Sequence, residues 1–364
     1  MQVFNCGQCG HVVFFDSVQC MHCGSGLAFL PDQVTMAALA PAPESGAGLW
    51  RRLGPVQTGA LYRLCYNHTT WDACNFAVPA ASPHLLCIAC RQTHRLPDLS
   101  DPGNLRHWIR IEEAKRQLFY TLARLGLQPT DDSAPPHAGP TYAFLADLPG
   151  EPGIVTGHHG GTITLNVAEA DDDERARRRI ALHEPYRTLI GHLRHESGHF
   201  YWDRLVRDAD KLDAFRAVFG DERLDYATAL SEHYAQGART DWSHHHVSAY
   251  AAAHPWEDWA ETWAHYLHMV DLLETAAAYA TGLNLPGANA APREHVANPF
   301  GQPAPGFDTM VRQWVPLTLL LNSLNRSLGQ QDAYPFALSA GALRKLRFVH
   351  DTIAQGSSVP AVRP

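Results

Sequence analysis

The sequence predicts an α+β chain: a cysteine-rich N-terminal module, then a mostly helical domain with a small β-sheet. Three observations predict it. All eight cysteines lie between Cys6 and Cys90. Two short β-rich segments, Thr141 to Leu145 and Gly161 to Val167, follow that module, and the second alternates β-branched residues. From Arg175 onward the pattern is almost wholly helical.

At 364 residues and 45% hydrophobic, the chain can bury a large core and form two or more domains. Apolar runs such as Leu317 to Leu321 fall far short of the ~20 residues of a membrane span. The net charge of −8 argues against nucleic acid held by bulk electrostatics. The start, MQVFNCGQCG, has neither a basic n-region nor an apolar h-region, so a cytoplasmic location is expected. The expected domains are 1–98 and 99–356, with 357–364 as a disordered tail.

Clustered cysteines without an export signal point to metal rather than to dispersed disulfides. Cys6-x2-Cys9 and Cys20-x2-Cys23 are two knuckles whose four thiolates suit one closed, structural Zn2+ site. The arrangement resembles a zinc ribbon. A second structural site is expected from Cys65, Cys74, Cys87 and Cys90, with His68 as an alternative to one of them. Between the two sets, near 31–59, the stretch MAALAPAPESGAG reads as a linker. Few basic residues flank the knuckles, so a structural or protein-docking role is favoured over nucleic-acid reading.

Trp108, Ile111, Ala114, Leu118 and Leu122 recur at helical spacing, which predicts a helix over Leu105 to Leu127. Aspartates 171 to 173 suit the positive end of the helix that follows. The strand at Gly161 to Val167 is a candidate sheet edge to which an extended peptide could add. WVPLTLLLNSLNRSLG reads as a core helix interrupted near Pro316, its asparagines bonding to neighbouring helices.

The strongest motif is RHESGHFYWDRL. Within a helix expected over Pro185 to Val206, His195 and His199 are four residues apart and share a face. They can grip one ion, with Glu196 beside it: the H-E-x-x-H pattern. A third ligand is sought in HPWEDWAETWAHYLH, where Glu257 and Glu261 share a helix face and His268 lies further along. Two carboxylates beside a tryptophan-rich face are costly to bury unpaired. Asp225 in GDERLDYATAL is a helix-capping candidate before it is a partner of a ligand histidine. His244 to His246 and His254 are rival electrophiles or loop residues.

H-E-x-x-H followed by a later E-x-x-x-[DE] helix resembles the gluzincins. Taken whole, the chain resembles the zinc-binding metallopeptidases with an N-terminal zinc-ribbon domain. That resemblance implies a zincin-like domain and a zinc-dependent peptidase. It implies Glu257 as third zinc ligand and Glu261 as the carboxylate supporting His195. It implies Glu196 as general base towards a metal-activated water. Tyr250 corresponds to a tyrosine that stabilises the oxyanion in lethal-factor-like gluzincins; a core role is the alternative. The expected cofactors are one catalytic and two structural Zn2+, the expected substrate a peptide or protein, and a further protein could dock on the ribbon. Two other functions stay open: a regulatory protein whose metals are all structural, and a metallohydrolase acting on a non-peptide amide.

Overall fold

The computed structural model describes residues 2–54, 59–133, 138–181, 188–283, 294–334 and 337–356. The expected tail at 357–364 and the helix start at Pro185 lie outside these residues. The chain divides into two compact units, Met1–Glu174 and Arg175–Pro364.

In the first unit, β1 (Phe4–Asn5) and β2 (Val12–Val13) pair antiparallel around the first knuckle. A five-stranded antiparallel sheet follows in sequence order. Its strands are β3 (Gly26–Leu30), β4 (Thr35–Pro41), β5 (Trp50–Arg52), β6 (Leu61–Leu64) and β7 (Ala77–Pro79). The short helix α1 (Tyr66–Trp71) lies between β6 and β7. A parallel bridge between Phe29 and Phe76 brings the two ends of the sheet together.

The stretch expected as a linker is therefore corrected: it supplies β4 and leads into β5. The composition misled because β3 and β4 are covered on both faces. Leu27, Phe29, Met36 and Ala38 enter one core, and Ala28, Leu30, Ala37 and Leu39 another. A strand buried on both faces is a continuous apolar run with no polar alternation. Small residues make such a run look like a flexible tether.

The long helix α2 (Pro102–Arg124) starts at Asp101, whose carboxylate accepts from Gly103 and Asn104 N–H groups. It sends Phe119 and Tyr120 into the core that holds the cysteines. A second sheet has the order β10-β11-β9-β8, with β8 (Thr93–Arg95), β9 (Thr141–Leu145), β10 (Gly157–His159) and β11 (Thr162–Asn166). The sequence segment proposed as an edge is β11, which is interior, parallel to β9 and antiparallel to β10. The signal lay in Gly160 and Gly161. Both have positive φ, at 56° and 83°, and close a two-residue hairpin between His159 and Thr162. The outer strands are β10 and β8.

Helix α3 (Asp172–Ala181) leads into the second unit. That unit contains α4 (Leu189–Trp202), α5 (Leu212–Phe219), α6 (Tyr226–Gln236), α7 (Pro255–Ala278), α8 (Phe307–Ser327) and α9 (Ala340–Gly356). A short antiparallel pair, β12 (Gly282–Leu283) and β13 (Glu294–His295), precedes α8. Among the described residues, no helix is long and apolar enough to cross a membrane. Helix α8 runs unbroken through Pro316, against the expected interruption. Trp314, Leu317 and Thr318 are buried, and that packing holds the helix across the missing N–H, whereas Val315, Leu319 and Leu324 are exposed. Asn322 bonds to the backbone of Tyr334 in a loop rather than to a neighbouring helix.

The crossing of α4 and α7 is the centre of this unit. Thr188 caps α4 by accepting from Gly191 N–H. Pro255 opens α7 behind His254, whose Nδ1 accepts from Trp256 N–H at 3.1 Å. Tyr201 stacks on Trp263 at 5.0 Å, and the indoles of Trp259 and Trp263 donate to Gly198 O and Ser197 Oγ. Gly198 permits the approach: a Cβ there would lie 2.9 Å from Ala260 Cα and 3.2 Å from Trp263 Cβ. Those atoms belong to a packed helix and cannot swing away. Gly198→Ala is expected to destabilise the fold by about 1–3 kcal/mol, the usual range for overpacking. Denaturant unfolding checks it; an unchanged midpoint would mean the helices do not meet this closely.

Candidate metal centres

Cys6 and Cys9 sit in the turn after β1, and Cys20 and Cys23 in the turn before β3. Their Sγ atoms converge, with Cys6–Cys23 and Cys9–Cys20 both at 3.7 Å. The second set converges too, with Cys74–Cys87 at 3.8 Å and Cys74–Cys90 at 3.6 Å. Zn–S bonds of about 2.3 Å in a tetrahedron place sulfurs about 3.8 Å apart. Both sets therefore fit one zinc ion each, and the eight thiols form no disulfide. His68 is not in the second cluster; its Nδ1 lies 2.7 Å from Cys74 O. Four thiolates around a dication leave net negative charge, and α2 answers it with Arg116. Burial works against that guanidinium's charge, but Cys74, Cys90 and Glu112 outweigh it and raise its pKa.

The third centre belongs to the second unit. His195 and His199 on α4 meet Glu257 from the first turn of α7, and one ligand atom from each lies within 4.8 Å of the others. His195 Nε2 is 3.0 Å from Glu257 Oε2, and His199 Nε2 is 3.5 Å from Oε1. His195 Nδ1 is 2.7 Å from Glu261 Oε1. With Nδ1–H donating to Glu261, Nε2 of a neutral imidazole presents a lone pair. It faces Glu257 Oε2, a buried oxygen whose neighbour at 3.0 Å is that ring nitrogen. With no metal the two atoms, 3.0 Å apart, are joined by a proton on the imidazole; with that proton gone, both turn a lone pair to the same point, where a cation can take its place. The donor set, two imidazoles and a carboxylate, suits Zn2+ with one position left open.

Charge is shared strongly across this cluster. Burial pushes Glu257 up, but His199 and His195 prevail and hold its carboxyl well below the usual range. Burial likewise opposes the charge on His195, and Glu257 and Glu261 overcome it and raise its pKa well above the ordinary value. A dication would take over the balancing role that the imidazoles play here.

Glu196 is buried beside His195, and its Oε2 accepts no hydrogen bond among the described residues. The Tyr250 ring is 6.0 Å from that of His195 and 5.9 Å from that of His233. Ser248 Oγ donates to Glu261 Oε2 at 2.6 Å, so both oxygens of Glu261 are engaged. The Trp256 ring lies against that of His199, tilted by 35°, with centroids 3.8 Å apart. Tyr226 Oη donates to Glu257 Oε1 at 2.6 Å.

Other candidates go elsewhere. His268 pairs with Arg194, which also bonds to Asp271. His254 caps α7 and bonds through Nε2 to Leu224 O. His246 and Lys345 converge on Asp258, at 3.1 and 2.5 Å. Asp225 caps α6 by accepting from Thr228 N–H at 2.7 Å. Sequence reasoning missed Tyr226, Ser248 and Trp256 as neighbours of the centre. No periodicity links Tyr226 to Glu257, but Trp256 adjoins Glu257 and could have been found by that adjacency.

Glu261→Gln tests the support of His195. Loss of such a partner typically weakens metal binding ~10–100-fold. That loss is expected at the third centre only, measured by competition with a chelator; unchanged binding would make Glu261 a packing residue.

Two thiolate centres followed by an H-E-x-x-H helix crossed by a glutamate-bearing helix define a zinc-ribbon protein with a metallopeptidase-type metal centre. The chain belongs to the family described as "putative zinc-binding metallo-peptidase", which matches residues 104–352, and a zinc-ribbon domain matches residues 3–101. Similar chains include uncharacterized proteins of Mycobacterium bovis and of two strains of Mycobacterium tuberculosis. Each is 38% identical over 357 residues, covering 97% of this chain and 95% of the relative. No solved structure matches.

Proposed function

We propose that this chain is a zinc-dependent peptidase in which His195, His199 and Glu257 hold one ion and Glu196 is the general base. The observation that carries the reading is the convergence of those three donors on one point. A dication bound there supplies Lewis acidity and brings the pKa of a water towards ~7. Glu196 accepts a proton from the attacking water and later delivers it to the leaving amine. Its buried Oε2, without a hydrogen bond among the described residues, is suited to that exchange. Tyr250 donates to the oxyanion as the carbonyl becomes tetrahedral. Glu261, braced by Ser248, fixes the tautomer and tilt of His195.

The two four-cysteine centres are structural. Eight reduced cysteines in metal-type clusters favour a cytoplasmic setting. Phe14 and Val18, between the two knuckles of the first centre, and Met21, inside the second knuckle, are exposed, which favours protein docking there over nucleic-acid binding.

The test is cleavage of a peptide library by the purified chain. Chelator treatment mild enough to spare the cysteine centres is expected to abolish cleavage, and added Zn2+ to restore it. Cleavage that survives complete loss of the third metal would overturn the assignment. Turnover of small amides with no peptide cleaved would point to the non-peptide hydrolase instead.

A further inference from the structure

Helix α6 has no fully buried residue among the eleven from Tyr226 to Gln236. Its first residue nevertheless reaches a metal centre. Tyr226 Oη donates to Glu257 Oε1 at 2.6 Å, and Glu257 is only 1% exposed. The placement is over-determined. Asp225 caps the helix immediately before Tyr226. His254 bonds to Leu224 O just upstream. The Tyr226 ring packs edge-on against His254 at 5.3 Å and Trp256 at 5.7 Å, and Trp256 in turn packs against His199. A partly exposed tyrosine needs no such setting for stability alone, because its hydroxyl could be hydrated.

The two oxygens of Glu257 are thus chemically distinct. Oε1 accepts the phenol at 2.6 Å and lies 3.5 Å from His199 Nε2, while Oε2 has no phenol and lies nearer the imidazole pair, 3.0 Å from His195 Nε2. A carboxylate can offer an ion one oxygen or both, and a strong donor on one oxygen weakens that oxygen as a ligand. A centre that must keep a position open gains from having one oxygen spoken for.

We propose that Tyr226 is a positioning residue that holds Glu257 by Oε1, so that Oε2 alone is offered to the ion gripped by His195 and His199. Without the phenol, Glu257 is free to offer both oxygens and crowd the position that substrate and water need. This rests on the reading of Glu257 as a ligand, so the experiment separates the two claims.

The experiment is cadmium-113 NMR of the full chain loaded at all three centres, in wild type, Tyr226→Phe and Glu257→Gln. Thiolate-bound cadmium resonates far from cadmium bound by nitrogen and oxygen, so the third centre is read separately. Phenylalanine keeps the ring packing and removes only the donor. In Tyr226→Phe the third resonance is expected to move while the two thiolate resonances stay. Metal release from that centre is expected to change ~10-fold or more, in the range for lost partners of ligands. In peptide hydrolysis, kcat is expected to fall with KM little changed. A third resonance and release rate identical to wild type in Tyr226→Phe would overturn the proposal. If Glu257→Gln removes or shifts the third resonance while Tyr226→Phe does not, only the Tyr226 role fails. If Glu257→Gln leaves it at its wild-type position, Glu257 is not a ligand and both claims fall. Movement of the thiolate resonances in Tyr226→Phe would also count against it, because the effect would then be a general disturbance of the fold.

Discussion

Glu196→Gln is expected to lower peptide hydrolysis by ~10²–10⁴-fold while leaving metal content unchanged. The amide keeps the size of the side chain but cannot take a proton at neutral pH. Glu196 is not among the three residues whose donor atoms converge, so the ion should be held as before. It is 9% exposed with an unsatisfied Oε2, so replacing its charge by an amide should not weaken the fold. Steady-state kinetics with a peptide substrate, paired with elemental analysis, make the comparison. Equal rates in the two proteins would remove Glu196 as base and return the choice to a nearby histidine such as His233. Loss of metal together with activity would mean that the carboxylate acts as a ligand instead.

Much of this centre is legible in the sequence because its chemistry is local. His195 and His199 are four apart on one helix, and Glu257 and Glu261 repeat that spacing on another. Helical geometry alone puts each pair on one face. What spacing cannot give is which faces meet. Gly198 carries that information: glycine inside a helix costs ~1 kcal/mol relative to alanine, and here it admits the backbone of α7. Tyr226 and Ser248 stayed hidden because their roles depend on chain segments brought together only in the tertiary fold. The ribbon failed differently. Cysteine spacing revealed its two thiolate clusters, whereas β4, an apolar strand buried on both faces, had no alternation to mark it and took on the appearance of a linker. The outer strand β10 has its signal in Gly160-Gly161, where positive φ at both residues makes a hairpin turn.

His199→Ala and Glu257→Ala are each expected to take the bound zinc from about three ions per chain to about two, and to abolish peptide hydrolysis. The residual pair of ligands cannot hold a dication against water, whereas the cysteine centres lie in the other compact unit and share no residue with this one. The two variants should differ in stability. Removing His199 leaves Glu257 buried with less positive charge near it, and an uncompensated buried carboxylate costs several kcal/mol or takes up a proton. Removing Glu257 takes the buried charge away together with its side chain. His199→Ala is therefore expected to unfold at lower denaturant than Glu257→Ala, most clearly in metal-free protein at neutral pH. Acidification should narrow the gap, because protonating Glu257 discharges it at little further cost. Elemental analysis gives the first expectation and denaturant midpoints at two pH values give the second. A count of two zinc ions in wild type, unchanged in both variants, would leave a protein whose metals all serve structure. The peptidase reading would then be lost even though every contact among these side chains remained.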